Sequence, residues 1–395
     1  MEMLNTRRAR RVAIVGAGTG GLTAPAALRQ FGNFEIKLYE RAPELGEVGA
    51  GLQMAPNAVK VIRALGIEDQ FVKLAAEPEA RVTLKWDDAT VLSQESFKGR
   101  MEEEFGARYH MIHRADLHKL LASLVPEDAI HTNAECVGVE NRKDGAVLRL
   151  AGGQEIEADV VIGADGIHSV VRKFLFGESR TRFTHQICWR LILPMEALHE
   201  TASRFDIPLN GSEYAGLLGP NGHVIMYPLR GGKLWNIFAG RVSEQWADEK
   251  WTVPSATDEM LEAYAGWHPG LLYLLSQAPE TYKWGIYDRD PLDHWVTGRI
   301  ALLGDAAHPM MPTLAQGAAI SMEDGYVLAR CLDAGRDAPG AALAAYDAAR
   351  QPRASKVQLQ ARQQFLNNQM TPPPPFLPTD WIYGYDAVTS PVSVG

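Results

Sequence analysis

The chain has 395 residues, more than one ordinary domain needs, and its 46% apolar and 22% charged residues are typical of a globular protein. Its net charge of −9 argues against nucleic acid as a partner, and an anionic ligand would need a locally positive pocket. No apolar run approaches the roughly 20 residues of a membrane span. The apolar run after the basic start is too short for a signal peptide, so we expect a cytoplasmic protein that binds no membrane.

The cysteines carry no chemical motif. Cys136, Cys188 and Cys331 are widely spaced and include no C-x-x-C pair. An odd number of isolated cysteines predicts free, buried thiols in a reducing compartment. We also predict no metal site.

The N-terminal part of the chain predicts the start of a doubly wound sheet. Residues 11–15 form a short apolar run rich in β-branched residues, and glycines and an alanine- and leucine-rich helical pattern follow at once. Phe34–Tyr39 has the pattern of a second strand, and residues 57–65 have helical spacing that Gly66 is placed to stop. A strand, a helix and a second strand in this order are typical of a β-α-β unit.

The character of the sequence changes between residues 180 and 295. Short β-rich runs are separated there by turn sequences such as Pro-Asn-Gly and Arg-Gly-Gly, which predicts an antiparallel sheet and hence a second domain. Residues 299–303 return to a buried-type strand and residues 317–332 to a helical pattern, so a distant segment completes the first domain. Residues 371–378 contain five prolines, which exclude a helix and predict a stiff connector.

Three glycines after the first predicted strand indicate a dinucleotide site. Gly16, Gly18 and Gly21 fit the pattern G-x-G-x-x-G between a strand and a helix, where unpaired N–H groups and the helix dipole favour a pyrophosphate. Glu40 follows Gly21 by 19 residues at the end of the second strand, where it can accept hydrogen bonds from a ribose, and Arg41 beside it is a further candidate. These residues alone do not distinguish FAD from NAD.

A second motif, residues 304–309 with the sequence Gly-Asp-Ala-Ala-His-Pro, resembles the ribityl-binding signature of the flavoprotein aromatic hydroxylases. The resemblance implies that Asp305 holds the ribityl hydroxyls of FAD. The helix that opens at Gln316, Gly317 and Ala318 would direct backbone N–H groups at the flavin ring. His308 also lies in this signature, and we expect it to have a positional role.

Other segments extend the resemblance over nearly the whole chain. Residues 158–166 end in Asp165 and a glycine and look like the Asp-Gly motif, which in relatives lies near the pyrophosphate and is tied to NAD(P)H use. Residues 47–53 form a glycine-rich approach to the flavin that ends at Gln53, and Arg114 matches a residue that contacts the phosphate or ribityl region in relatives. The sequence is therefore similar to the class A, single-component FAD-dependent aromatic hydroxylases.

This resemblance implies an enzyme with FAD as its cofactor, NADH or NADPH as the reductant, and O₂ as a co-substrate. In the family, reduced flavin forms a C4a-hydroperoxide whose distal oxygen is attacked by an electron-rich aromatic ring. Residues 380–385 resemble an element of the subgroup that contains salicylate hydroxylase, 3-hydroxybenzoate 6-hydroxylase and 6-hydroxynicotinate 3-monooxygenase. Related enzymes are often dimers, which makes a homodimer one candidate state, but the sequence leaves the oligomeric state open.

The expected fold is of the α/β class. It consists of a Rossmann-like FAD-binding domain, an inserted antiparallel β-sheet domain (α+β) for the substrate, and a C-terminal helical segment. The predicted boundaries are 1–180 for the first part of the FAD-binding domain with some substrate-pocket segments, 181–295 for the substrate domain, 296–350 for the completion of the FAD-binding domain, and 351–395 for a C-terminal helix and tail.

The candidate catalytic residues lie in a predicted strand of the second domain. A phenolate attacks an electrophilic oxygen far better than a phenol does, so the enzyme needs a base. Alternation puts His223, Ile225 and Tyr227 on one strand face. We expect His223 to be the base or to position it, and Tyr227 to orient the substrate through its hydroxyl. Arg190 and Arg230 are candidates for pairing with a substrate carboxylate.

Two departures from relatives bear on the substrate. Gln53 and Met54 lie where the 6-hydroxynicotinate enzyme carries a histidine, and residues 310–314 lack the glutamine of the 3-hydroxybenzoate enzyme. We therefore expect a small phenolic or hydroxypyridine carboxylic acid, salicylate-like before the others, and attack at the carboxyl-bearing carbon would release CO₂. The alternatives are activity like that of the other two enzymes, a tailoring epoxidase or hydroxylase of a larger substrate, and a non-catalytic flavin protein.

Overall fold

The computed structural model describes residues 8–46, 50–179, 181–244, 252–279, 281–370 and 374–394. Residues 47–49 of the predicted glycine-rich approach and residues 371–373 of the predicted connector lie outside these ranges. Within them, no helix is both long enough and apolar enough to cross a membrane. The three cysteines are free and buried, as their spacing predicts.

Strands and helices occur along the whole described chain. The strands are β1 (Arg10–Val15), β2 (Phe34–Tyr39), β3 (Gly51–Met54), β4 (Ala80–Lys85), β5 (Val91–Ser96), β6 (His110–His113), β7 (Ile130–His131), β8 (Cys136–Arg142), β9 (Gly145–Leu150), β10 (Glu155–Ala158), β11 (Val160–Gly163), β12 (Arg182–Pro194), β13 (Tyr214–Gly219), β14 (Gly222–Leu229), β15 (Leu234–Val242), β16 (Thr252–Ser255), β17 (Thr281–Asp288), β18 (Val296–Thr297) and β19 (Ile300–Leu302). The helices are α1 (Thr19–Phe31), α2 (Pro56–Ala64), α3 (Glu68–Leu74), α4 (Arg100–Phe105), α5 (Arg114–Ala122), α6 (Val170–Phe176), α7 (Met195–Phe205), α8 (Thr257–Ala263), α9 (Pro269–Ser276), α10 (Gly317–Ala334), α11 (Pro339–Asn368) and α12 (Asp380–Tyr383). Short 3₁₀ turns cover Glu127–Ala129, Gly304–Ala306 and Pro312–Leu314.

The first sheet has six strands in the order β18-β19-β11-β1-β2-β7. β1 pairs in parallel with β2 and β11, and β11 pairs in parallel with β19. Because β1 is central and covered on both faces, its residues from Val12 to Val15 are all buried, which the unbroken apolar run predicts. The α/β class, the β-α-β opening and the return of the chain at β19 are confirmed. The carboxyl ends of these parallel strands meet at one edge, where ligands bind in such sheets.

The second sheet has eight strands in the order β16-β17-β12-β15-β14-β13-β4-β5. Its pairings are antiparallel except that of β13 with β4, which is parallel. β4 and β5 precede residue 181, so the expected purely antiparallel sheet built from residues 181–295 needs correction. The alternation of β4 is visible in the sequence, but alternation does not reveal which strand it pairs with.

The C-terminal part of the chain is dominated by α11, which runs from Pro339 to Asn368 and packs against α10. The predicted boundary at residue 350 therefore falls inside a helix. Pro352 does not end this helix, because α11 continues past it to a C-cap at Gln369. After α11 the described residues 374–379 have no regular structure, in agreement with their prolines, and α12 follows.

Candidate active site

A cavity of about 810 Å³ is lined by segments that follow strands of the first sheet and by strands of the second sheet. At one end, here called the glycine-loop end, its wall is formed by residues 18–21 at the start of α1 and residues 303–305 after β19. At the other end, here called the sheet end, its wall is formed by side chains of β4, β13, β14 and β15. Segments that are far apart in the sequence therefore meet around one space.

The glycine loop fits a pyrophosphate. Gly16 has φ +98°, and a Cβ there would collide with the carbonyl oxygen of Ala164. A Cβ on Gly21 would collide with the carbonyl oxygen of Gly16, so both glycines are required by the protein's own packing. A Cβ on Gly18 would meet no protein atom within 4 Å, and Gly18 lines the cavity at the N-terminus of α1. This leaves open space beside helix N–H groups, which favour an anion.

Glu40 lies at the carboxyl end of β2, as predicted. Its carboxylate accepts hydrogen bonds from the backbone N–H groups of Ala17 at 2.8 Å and Ala42 at 2.9 Å. Each carboxylate oxygen retains acceptor capacity for a ribose hydroxyl. Arg41 is exposed, and neither Arg41 nor Glu40 is among the residues that line the cavity.

Asp305 is in the cavity wall, within the 3₁₀ turn that follows β19. Burial within the protein raises the pKa of its carboxyl, whereas His308 and Arg114 act to lower it. Asp305 is exposed to the cavity, so its carboxylate is free to accept hydrogen bonds from polyol hydroxyls. Its position agrees with the role that the resemblance implies.

The start of α10 contributes Gly317 and Ala318 to the cavity wall, as expected. Gln316 differs, because its side chain is fully buried and its Oε1 accepts a hydrogen bond from Asn57 at 3.0 Å. The Gln316 side chain is therefore not part of the cavity wall, and its expected contribution to the cofactor site through the backbone N–H groups of the helix start stays a prediction. Its amide instead ties α2 to the first turn of α10.

Asp165 is likewise turned away from the cavity. Its carboxylate accepts hydrogen bonds from the Ser169 hydroxyl at 2.5 Å and from the N–H groups of Val170 and Val171 at 2.7 and 3.1 Å. It therefore stabilises the start of α6, and the wall beside it is formed by residues 166 and 167. The Asp-Gly motif shapes the cavity through its backbone.

Arg114 and Gln53, both predicted to lie near the cofactor, line the cavity. Burial and the neighbouring Arg190 lower the pKa of Arg114, and Asp305 opposes this shift. The Gln53 Oε1 accepts a hydrogen bond from the Tyr109 hydroxyl at 2.8 Å, which fixes the orientation of the amide. The two residues are brought together because β3 and β6 pair directly before α5.

A network of buried charges supports α10 behind the glycine-loop end. Arg350 pairs with Glu323 at 2.8 Å and with Asp324 at 2.7 Å, and all three side chains are fully buried. Asp324 also contacts His308 Nε2 at 2.6 Å and accepts from the Gly304 N–H at 3.3 Å. Burial raises the pKa of Asp324, but His308 and Arg350 hold it below its usual range. His308 is thus positional, as expected, since it holds the turn that carries Asp305.

The register of the second sheet arranges the sheet end in rows. Side chains that are paired across neighbouring strands share a face and line the same space. One row is Arg81, Tyr214, Tyr227 and Asn236; the next is Ser93, Thr83, Gly216, Ile225, Phe238 and Arg190; a third contains Leu218, His223 and Gly240.

His223 lies in the cavity wall with its ring stacked on Phe238, at 5.6 Å between centroids. A Cβ on Gly240 would lie 2.9 Å from His223 Nε2, so this glycine provides the space that the ring occupies. Burial lowers the pKa of His223 to about 4, which keeps the imidazole neutral at pH 7. Among the described residues its ring has no side-chain hydrogen-bond partner, and a neutral imidazole in this position can accept a proton.

Tyr227 lies one row further along the same strand face, as alternation predicts. Its ring packs closely on β3, where a Cβ on Gly51 would be 2.7 Å from the Tyr227 hydroxyl oxygen. The Gly51 N–H donates to Asn236 Oδ1 at 2.8 Å, so the second sheet is fastened to β3 at this point. Burial raises the pKa of Tyr227, which therefore remains a hydrogen-bond donor.

The charge of the cavity wall is opposite to that of the whole protein. Three arginines line it, namely Arg81, Arg114 and Arg190, and among the described lining residues Asp305 is the single carboxylate. Arg190 has no carboxylate partner within the described ranges, and its buried Nε has no hydrogen-bond acceptor. The acidic chain therefore contains the locally positive pocket that an anionic ligand needs.

Arg230, the second candidate for a substrate carboxylate, is not in this pocket. It is exposed and forms two hydrogen bonds to Asp116, at 2.8 and 3.0 Å. The sequence analysis also missed several lining residues, namely Arg81, Tyr214, Asn236 and Phe238. The alternation of β15 places the last two on one face, but only the strand pairing brings that face to the cavity.

Comparison with known proteins agrees with this geometry. Residues 9–361 match the family model described as FAD binding domain. The chain is 38% identical over 390 residues to 3-amino-4-hydroxybenzoate 2-monooxygenase PtmB3 of Streptomyces platensis, covering 95% of this chain and 96% of that protein. It is 35% identical to 6-hydroxynicotinate 3-monooxygenase of Pseudomonas fluorescens, covering 97% and 96%. A solved salicylate hydroxylase substrate complex superposes with TM-score 0.83 at 28% identity, covering 96% of both chains.

The chain therefore belongs to the FAD binding domain family and is an FAD-dependent aromatic monooxygenase. Its own residues fit FAD, since Gly18 leaves space at the start of α1 and Asp305 and the first turn of α10 face the same cavity. When bound, FAD accepts electrons from NADH or NADPH and delivers one atom of O₂ to an aromatic ring. The assignment of individual residues to these tasks is a proposal.

Proposed function

We propose that this enzyme hydroxylates a small phenolic carboxylic acid at the sheet end of the cavity. The observation that carries the proposal is the positive wall, with three arginines against one carboxylate, beside a neutral histidine in an apolar setting. A carboxylate supplies the matching negative charge, and a ring hydroxyl supplies a proton for the histidine. Two relatives are named for activity on an aminohydroxybenzoate and on a hydroxynicotinate. These names support the same class of acid as the substrate of this enzyme.

Arg190 is proposed to bind the substrate carboxylate. Its guanidinium lies 5.8 Å from the Phe238 ring centroid and 5.7 Å from that of Trp284, so two aromatic faces hold it in place. Because its buried Nε has no acceptor, a carboxylate that pairs with it would satisfy a donor the protein leaves unsatisfied. Arg81 is a weaker candidate, since Glu95 already pairs with it at 2.5 Å.

His223 is proposed to take the proton from the ring hydroxyl, and Tyr227 to orient the bound acid by donating a hydrogen bond. The imidazole is neutral before the substrate enters, because burial holds its pKa at about 4. Arrival of a phenol, followed by proton transfer, leaves an imidazolium next to a phenolate. The apolar wall of Ile225 and Phe238 disfavours an imidazolium that has no partner, but it strengthens the attraction between the imidazolium and the phenolate once both are formed.

Glu40 and Arg41 remain proposed as the ribose side of the FAD site, with Gly16, Gly18 and Gly21 at the pyrophosphate and Asp305, Gly317 and Ala318 at the ribityl chain and the flavin ring. Arg114 and Gln53 face the same cavity and complete the proposed set. The candidate homodimer and the cytoplasmic location stay predictions. Light scattering of the purified protein tests the first of these.

The experiment that tests the function is an NADH- and NADPH-oxidation screen of the FAD-loaded enzyme. The acids are salicylate, 3-hydroxybenzoate, 6-hydroxynicotinate and 3-amino-4-hydroxybenzoate, with hydroxylated product, CO₂ and hydrogen peroxide measured together. We expect at least one acid to accelerate oxidation with product formed in step. Hydrogen peroxide as the sole product with every acid would contradict the proposal.

A paired variant tests the role of Arg190. Arg190→Met removes the proposed carboxylate partner and should raise KM for the accepted acid about tenfold or more, because a charge-assisted hydrogen bond is worth about 1.5–3 kcal/mol. Arg230→Met removes an exposed arginine outside the cavity and should leave KM unchanged. Equal KM values in the wild type, Arg190→Met and Arg230→Met would show that Arg190 does not bind the substrate carboxylate.

A further inference from the structure

Phe376 forms part of the cavity wall although it belongs to a segment without regular structure. Its side chain is 41% exposed, and its ring lies 5.1 Å from the guanidinium carbon of Arg81. Arg81 is itself held by Glu95 at 2.5 Å and by a second ring, Phe97, at 5.8 Å. A half-exposed aromatic residue is thus fixed over the cavity by a positioned cation.

The backbone that follows Phe376 is fastened to α11. The Leu377 N–H donates to Gln364 Oε1 at 2.8 Å. Gln360 accepts from the Trp381 indole N–H at 3.0 Å and donates to the Pro378 carbonyl oxygen at 2.8 Å. Trp381 belongs to the segment 380–385, which has no proposed role in the chemical reaction. Its contacts show that it anchors the residues that follow Phe376.

The position of this wall is set by the strand order. Arg81 lies on β4, and His223 and Tyr227 lie on β14, with β13 between them. Neighbouring strands are about 4.8 Å apart, so β4 is about 10 Å from β14 across the sheet face. Between them, β13 presents Tyr214, Gly216 and Leu218 to the cavity, and Gly216, which pairs with Thr83 of β4, adds no side chain to the wall. An aromatic acid that lies against β14 and is long enough to extend toward β4 would contact Phe376.

We infer that Phe376 is a specificity-determining residue that closes the β4 side of the substrate site and restricts the enzyme to single-ring acids. This inference rests on the proposed function, since it presumes an aromatic acid at the sheet end. Arg81 acts as the positioning residue for the Phe376 ring. The proline-rich sequence of residues 374–378 suits this task because prolines limit the backbone freedom of a segment that has no ladder hydrogen bonds.

The test compares salicylate with its fused-ring analogue 1-hydroxy-2-naphthoate in wild-type enzyme, Phe376→Ala and Phe376→Leu. Binding is measured by titrating each acid into oxidised holoenzyme and following the flavin absorbance, and turnover by product formation. We expect Phe376→Ala to raise the preference for the naphthoate about tenfold or more, the size of effect that apolar pocket changes produce. Phe376→Leu should give an intermediate preference.

The matched control is Phe174→Ala, which truncates a phenylalanine that is 53% exposed on α6 and is not in the cavity wall. It should leave the preference unchanged. The inference is overturned if wild-type enzyme binds these acids and Phe376→Ala shows the wild-type preference, even where its melting temperature falls. A wild-type enzyme that hydroxylates no acid of the screen would instead contradict the proposed function.

Discussion

The glycine-loop end of the cavity is built mainly from backbone, whereas the sheet end is built mainly from side chains. At the first, Gly16 and Gly21 are required because a Cβ would strike a carbonyl oxygen, and Gln316 and Asp165 direct their side chains into the protein. At the second, Arg190, His223 and Phe238 themselves face the ligand space. A shared cofactor can be held by backbone that many sequences provide, while substrate choice requires particular side chains.

The two ends also differ in what supports them. Behind the glycine-loop end lie ionised groups that are buried and paired, with Arg350 between Glu323 and Asp324. Behind the sheet end lies apolar packing around Trp189, Trp235 and Tyr264. Removing one member of a buried ion network leaves the others uncompensated, whereas a wall side chain at the sheet end can be exchanged at the cost of local contacts alone. We therefore expect substitutions at the first end to affect folding and FAD retention, and those at the second to affect catalysis.

The largest expected effect is that of Arg350→Met. Glu323 and Asp324 would remain buried without their partner, and breaking a buried pair in this way costs about 3–5 kcal/mol. Chemical denaturation of the apoprotein measures the loss. Arg149→Met, which removes a half-exposed arginine from Glu140 and Glu155, should show a far smaller change. Equal stability of the two variants would show that the network does not support α10.

The next effect is catalytic. His223→Gln removes the proposed base and should lower kcat by about 100-fold, the lower end of the range for a positioned general base. FAD content and apoprotein stability should stay near those of the wild type, because His223 is remote from the glycine loop. A variant with normal kcat would exclude His223 as the base.

Two glycine variants distinguish packing from ligand contact at the first end. Gly21→Ala should lower apoprotein stability by about 1–3 kcal/mol through overpacking and should also lose FAD. Gly18→Ala meets no protein atom within 4 Å, so its apoprotein should melt like the wild type and yet bind FAD more weakly. Differential scanning fluorimetry and FAD titration make the comparison. If Gly18→Ala binds FAD as tightly as the wild type does, the pyrophosphate of FAD does not lie beside Gly18.

The smallest expected effect is a shift of the acid limb of the pH profile of kcat/KM to lower pH. Burial lowers the pKa of His223 from 6.5 to about 4, so the imidazole is unprotonated, and able to act as a base, at all pH values above about 4. The acid limb of kcat/KM for the free enzyme should therefore lie well below 6.5 and should disappear in His223→Gln. An inflection at or above 6.5 in the wild type would show that another group controls the profile.

The cofactor site was largely predictable from the sequence because its parts are contiguous. A strand, three glycines and a helix specify their own geometry within one short segment, as do the turn at Asp305 and the start of α10. The sequence could not show that Asp165 and Gln316 turn away from the cavity. Both side chains satisfy nearby backbone or side-chain groups, and such choices depend on neighbours that a motif does not contain.

The substrate site was predictable only in part. Alternation placed His223 and Tyr227 on one face, because side chains of a strand point to opposite sides in turn. The sequence by itself thus determined the fold class, the cofactor and one strand of the candidate active site. Only the tertiary structure joined β14 to β13 and β4, brought Arg190 and Phe376 to the same cavity and left Arg230 outside it. Strand pairing and loop packing arise from contacts between segments that are distant in the sequence. A local sequence pattern does not show which distant segment a strand or a loop will contact.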